Sequence, residues 1–114
     1  MNKRESIGVI GLGYVGFPLS IEFSRKYHTI GYDIDPSRVE ELSNGIDRTL
    51  EISREKIINA SNLIITDNQE ELSGLDYYII TVPTPIDSSN VPDLSFLRAA
   101  SELVGRYITN GGTV

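Results

Sequence analysis

Ile7-Gly8-Val9-Ile10-Gly11-Leu12-Gly13-Tyr14-Val15-Gly16 runs from an apolar, strand-like stretch through a glycine turn into a helix-like segment. With ten glycines in 114 residues a G-x-G-x-x-G spacing carries little weight alone. Strand, turn and helix in that order are the setting that gives it meaning, and the ligand it points to is a dinucleotide. Each glycine has its own task. Gly11 lets the chain turn sharply, Gly13 removes a side chain where a pyrophosphate approaches the backbone, and Gly16 lets the helix pack closely on the strand. The first N–H groups of the helix then face the anion, in a local field equivalent to roughly half a positive charge.

The composition is compatible with this reading and narrows it. A chain of 114 residues with 39% hydrophobic content has the size and core of one domain, spanning residues 1–114. A net charge of −6, with ten scattered Lys and Arg, argues against a nucleic-acid partner. No apolar run approaches the ~20 residues of a membrane span, and no basic-then-apolar leader precedes the first strand. A cytoplasmic protein with no membrane partner is expected. The absence of cysteine excludes disulfides, thiolate metal sites and a cysteine nucleophile within these residues. No catalytic or metal-binding residue is assigned.

Strand and helix patterns alternate along the chain, as in a parallel sheet with crossover helices. The expected fold is α/β, a Rossmann-type doubly wound parallel sheet. Strands are predicted at about residues 6–10, 29–32, 63–66 and 77–82, the last apolar throughout, as for a central strand buried on both faces. A helix is predicted over residues 14–27, with Val15, Leu19 and Phe23 as its buried stripe. Pro18 falls near its first turn, where a missing N–H costs little. Asp35 caps a second helix that starts at Pro36 and ends at Asn44-Gly45. Ser53 opens a third, and a short helical turn covers residues 69–72. After a proline-bounded loop over residues 83–92, Asp93 caps a helix with a stripe of Leu94, Leu97, Ala100, Leu103, Val104 and Tyr107. Thr113-Val114 then read as the start of a fifth strand, so the chain is expected to be a fragment of a longer enzyme.

Asp33 lies 22 residues after Gly11, at the carboxyl end of the second strand. A Rossmann site puts a carboxylate there to accept hydrogen bonds from the adenosine ribose, and its charge repels the 2′-phosphate of NADP. NAD is therefore the expected cofactor; the bland alternative is a solvated residue at a strand end. Arg38, in the first turn of the next helix, could instead bind a 2′-phosphate if Asp33 turned away. Val82-Pro83-Thr84-Pro85 follows the fourth strand, beside the first one across the switch point, where ligands bind. It faces the middle of the cofactor or is a rigid crossover loop without a ligand role. His28 reads as a surface residue and Tyr77-Tyr78 as strand filler.

Together these segments make the chain resemble the N-terminal domain of the nucleotide-sugar 6-dehydrogenases, a family that includes UDP-glucose and UDP-N-acetylhexosamine dehydrogenases. The resemblance rests on Ile10 to Gly16 with Pro18, on Gly31-Tyr32-Asp33-Ile34-Asp35 with Arg38, and on Thr81-Val82-Pro83-Thr84-Pro85. Asp47-Arg48-Thr49-Leu50-Glu51 is similar to the branch containing the Vi-polysaccharide-type UDP-N-acetylglucosamine 6-dehydrogenases. The resemblance implies that Gly11, Leu12, Gly13, Tyr14, Val15 and Gly16 hold the NAD pyrophosphate, with Tyr14 and Val15 presenting N–H groups. It implies that Asp33 binds the adenosine ribose with Arg38 alongside, and that Val82, Pro83, Thr84 and Pro85 line the nicotinamide half.

The reaction it implies oxidises the C6 alcohol of a UDP-sugar to a carboxylate, with two NAD and a thiohemiacetal on a cysteine, in surface polysaccharide synthesis. The parent enzyme is expected to be a homo-oligomer. A Glu-Ser-Thr-Val segment and the catalytic cysteine, lysine and asparagine would lie beyond Val114, so this chain alone is expected to be inactive. An NAD-sensing regulatory Rossmann module and an S-adenosylmethionine methyltransferase share the glycine turn and the strand-end acid; the first does not require the Thr81 to Pro85 wording, and the turn of the second does not need a third glycine for dinucleotide geometry.

Overall fold

The computed structural model describes residues 5–48, 52–86, 88–109 and 111–114. Thr49 to Glu51, the last part of the segment that marks the Vi-type branch, lie outside the described residues. The elements are β1 (Ser6–Ile10), α1 (Gly16–Ser24), β2 (His28–Tyr32), α2 (Pro36–Ser43), α3 (Arg54–Ile58), β3 (Leu63–Thr66), a 3₁₀ turn (Gln69–Leu72), β4 (Tyr77–Ile80) and α4 (Ser95–Tyr107). The strands pair in parallel in the order β3-β2-β1-β4. The chain builds outward from β1 through β2 to β3, then crosses back to place β4 on the other side of β1. That reversal is a topological switch point of the doubly wound fold. Thr113 bridges Tyr77 in parallel on the outer edge of β4, with Tyr78 N donating to Thr113 O at 2.7 Å. This is a single isolated bridge at the position where the sequence pattern puts a fifth strand, and the sheet among the described residues has four strands.

The register explains the two cores. Gly8 faces Ile30 and Tyr78, and Ile10 faces Tyr32 and Ile80, so these residues share one face of the sheet. They pack with Leu72, Leu75, Ala100, Leu103 and Val104 under α4. Leu63 and Ile65 line the opposite face with Leu12, Phe17, Ile21, Leu42 and Ile57, under α1, α2 and α3. Tyr78, on β4, joins the 3₁₀ turn and α4: its buried hydroxyl accepts from Leu75 N, donates to Leu72 O and reaches Tyr107 O at 3.4 Å.

Caps read from the sequence are largely in place. The Asp35 carboxylate accepts from Ser37 N at 2.9 Å with Pro36 at the first helical position, and Ser53 accepts from Lys56 N. The Asp93 carboxylate accepts from Ser95 N, although Leu94 is the residue at the helix boundary.

Three expectations are corrected. α1 begins at Gly16, and its buried line is Gly16, Phe17, Ser20, Ile21 and Ser24, not Val15, Leu19 and Phe23. The helix lies so close to the sheet that small residues fill its inner line, with the Ser20 and Ser24 hydroxyls returned to Gly16 O and Ile21 O. β4 ends at Ile80, and Tyr77 is 40% exposed, because α4 covers the face of Tyr78 and not that of Tyr77. On α4 only Ala100, Leu103 and Val104 are buried. Leu94 and Leu97 stay exposed because the first turn stands beside a groove instead of over the sheet.

Candidate functional site

A groove of about 610 Å³ opens at the carboxyl ends of β1, β2 and β4, at the switch point. Its floor is the glycine turn. Gly11 has φ +103°, donates to Tyr32 O at 2.8 Å, and lies so close to β4 that a Cβ there would meet Thr81 O at 2.7 Å. A Cβ on Gly16 would overlap the Gly11 carbonyl and the Thr81 hydroxyl. That hydroxyl donates to Gly11 O at 2.7 Å and reaches Ile10 O at 3.2 Å. Gly13 is different, because nothing lies within 4 Å of where its Cβ would be. Its open side belongs to the groove.

The turn delivers an uncapped helix. Val15 at the boundary of α1 has no side-chain capping hydrogen bond, so no side chain competes for the first-turn N–H groups. Tyr14 and Val15 are 70% and 66% exposed, and both line the groove. Backbone donors at the positive end of a helix form a seat for an anion.

Asp33 and Arg38 meet on one residue. Leu12 N donates to Asp33 Oδ2 at 2.9 Å, and Arg38 Nε donates to Leu12 O at 2.7 Å. Asp33 Oδ1 accepts from Asp35 N at 2.9 Å. Each carboxylate oxygen therefore has one backbone donor and a lone pair to spare. Leu12 itself is buried in the core, and its N–H is committed to Asp33. Arg38 is also buried, with Nη1 3.0 Å from Asp47 Oδ1 and 3.3 Å from Glu41 Oε1, and its guanidinium carbon 5.6 Å from the centre of the Phe17 ring. Its Nη2 has no hydrogen-bond partner among the described residues. Arg48, also at the groove, places Nε 2.6 Å from Glu41 Oε1. Burial pushes the Glu41 carboxyl up, but the hydrogen bonds and charges of Arg48 and Arg38 outweigh it and hold the group below its ordinary range.

Of the residues singled out from the sequence, Gly11, Leu12, Gly13, Tyr14, Val15, Asp33, Arg38, Val82 and Pro83 line this groove together. Gly16 lies behind it, as a packing residue. Thr84 and Pro85 are outside it and exposed; Pro85 O accepts from Asp93 N, and Ile86 pairs with Pro92, which pins the base of the loop. His28 is exposed. Sequence reasoning missed Thr81 as the lock of the turn, although it stands in the quoted Thr81 to Pro85 wording. It also missed the wall of Phe96, Ala99, Ala100 and Leu103, whose helical spacing reads as core.

The family model described as "UDP-glucose/GDP-mannose dehydrogenase family, NAD binding domain" matches residues 5–114. Among similar proteins, Protein CapL of Staphylococcus aureus is 50% identical over 109 residues, covering 96% of this chain and 25% of that protein. The UDP-N-acetyl-D-glucosamine 6-dehydrogenase of Pseudomonas aeruginosa is 44% identical over 112 residues, 98% of this chain and 26% of that protein. The solved structure of the UDP-D-ManNAc dehydrogenase of Pyrococcus horikoshii superposes with a TM-score of 0.82 at 32% identity, covering 94% of this chain and 27% of that one. The chain spans about a quarter of the length of these relatives. The match is to an NAD-binding domain of a dehydrogenase family, which favours that reading over the NAD-sensing module.

Proposed function

This chain belongs to the UDP-glucose/GDP-mannose dehydrogenase family as its NAD-binding domain, and on that premise we propose that it is the cofactor half of a UDP-sugar 6-dehydrogenase. The parent enzyme oxidises the C6 alcohol of a UDP-N-acetylhexosamine to a uronic acid for surface polysaccharide. The relatives support this substrate class: the protein of Pseudomonas aeruginosa that is 44% identical is a UDP-N-acetyl-D-glucosamine 6-dehydrogenase. We infer a cytoplasmic homo-oligomer whose partner is the UDP-sugar, with no nucleic acid or membrane involved.

The observation that carries the cofactor assignment is the bare Gly13 beside an uncapped helix, at one end of a groove whose strand-end carboxylate has lone pairs free. In this reading the N–H groups of residues 13–16 bind the pyrophosphate, and Asp33 accepts from the adenosine ribose hydroxyls while keeping its hold on Leu12. Arg38, held inward, supports the ribose site from behind through its hydrogen bond to Leu12 O. Val82 and Pro83, facing Phe96 and Ala99, exclude water from the far half, and Thr84 with Pro85 stiffens that wall. NAD, when bound, supplies the hydride acceptor.

Residues 1–114 bind NAD and turn nothing over, since the thiol chemistry implied by the family resemblance needs a cysteine that they lack. Calorimetry on the chain should show binding of NAD, weaker binding of NADP and none of S-adenosylmethionine. Preferential binding of S-adenosylmethionine would overturn the cofactor assignment. The parent enzyme should form two NADH per UDP-N-acetylhexosamine consumed; a stoichiometry of one would refute oxidation to the acid.

A further inference from the structure

At the Asp33 end of the groove Asp33 and Asp35 line the wall together with two arginines, Arg38 and Arg48, whose guanidiniums are paired with the carboxylates of Glu41 and Asp47. The two arginines are held very differently. Arg38 is buried and fixed from several sides by Leu12 O, Asp47, Glu41 and the Phe17 ring. The Arg48 side chain is 61% exposed and lines the groove, and its hydrogen bond among the described residues is to Glu41 Oε1 at 2.6 Å. The same oxygen is 3.3 Å from Arg38 Nη1. One carboxylate oxygen thus ties the exposed cation to the buried one.

We propose that Glu41 helps determine the preference for NAD over NADP, by holding Arg48 back from the position where it would meet a 2′-phosphate. This rests on the reading of the Asp33 end of the groove as the adenosine ribose site. A 2′-phosphate brings close to two negative charges beside Asp33 and Asp35, and a guanidinium is the side chain that answers it bidentately. Arg38 is fixed inward and cannot swing to it. Arg48 has the length and exposure to do so, but its charge is already engaged. Asp33 repels the phosphate; Glu41 withholds the residue that would attract it. Glu41 is on α2, away from the groove lining, and acts as a positioning residue.

The test is the ratio of NADP to NAD dissociation constants, measured by calorimetry on the enzyme that carries this domain. Glu41→Gln should tighten NADP by about tenfold relative to NAD, the worth of one charge-assisted phosphate contact. Glu41→Asp, which keeps the negative charge but draws the carboxylate back from both arginines, should move the ratio the same way by less. Adding Arg48→Ala to either variant should return the ratio to that of the parent. An unmoved ratio in both Glu41 variants overturns the proposal, as does a gain that survives removal of Arg48. If the unmutated enzyme binds neither dinucleotide, the cofactor reading itself fails; NAD binding with a fixed ratio removes only the role of Glu41.

Discussion

Leu12 shows how few atoms set the shape of the groove. Its side chain is in the core, its N–H is bonded to Asp33 and its carbonyl to Arg38, so the two polar residues read from the sequence as ligand contacts first hold the turn. Asp33→Ala therefore removes a ribose acceptor and the partner of a backbone N–H together. Roughly 10- to 100-fold weaker NAD binding is expected, from the loss of one or two hydrogen bonds to a charged group. NADP should lose less, since the same change removes a repulsion; an unchanged preference in calorimetry would strip Asp33 of its role. Gly16→Ala is a packing test. The new methyl would overlap the Gly11 carbonyl, which is backbone and cannot yield, so a loss of about 1–3 kcal/mol or more in denaturant unfolding is expected. Both residues were legible from the motif spacing. Thr81 was harder to read, because a hydroxyl bonded to two carbonyls across adjacent strands leaves no local pattern.

At the scale of elements, strand positions were readable because four short apolar runs are separated by caps and glycines with clear local chemistry. What the pattern could not show was how close each helix would lie to the sheet. On α1 the periodicity of large side chains named Val15, Leu19 and Phe23, while the closest approach is made by Gly16, Ser20 and Ser24. Small residues carry no hydrophobic signal, so a helix that packs tightly is misread in its rotation. The composition of β4 misleads for a related reason: it suits cover on both faces, and α4 protects one of them. Tyr78 is where α4, β4 and the 3₁₀ turn meet. Tyr78→Phe leaves Leu75 N–H and Leu72 O without that hydroxyl, and a loss of about 1–3 kcal/mol is expected for buried groups left unpaired. The same substitution at exposed Tyr77 should be nearly neutral, and equal effects at the two positions would contradict this account of the core.

For the whole molecule the charged groups define a window of pH. Glu41 and Asp93 are both held below their ordinary values of 4.5 and 3.8, Glu41 by its arginines against the opposing effect of burial, Asp93 by hydrogen bonds from Ser95. The stability they contribute is present above those values and is lost as pH falls through the lower folded values. Tyr32 is raised above 10.0, first by burial and then by the charges of Asp33 and Asp67, so its contribution is present below that pH and lost as pH rises. Melting temperature should thus be flat across neutral pH and fall on both sides. Glu41→Gln should remove part of the acid limb and leave the alkaline limb in place; an unchanged acid limb would show that the Arg38–Glu41–Arg48 cluster does not contribute to it. The topology was legible at this scale from the alternation of strand and helix. The wall at Phe96 and Ala99 was not, because it comes from a helix some sixty residues along the chain from Asp33.

The hold on Leu12 makes a single amide proton a reporter for the groove. Closed between the core and the Asp33 carboxylate, it should exchange slowly with solvent, and its chemical shift should follow whatever else that carboxylate binds. Ligand occupancy would then be visible in the spectrum of one backbone site, without any label on the ligand.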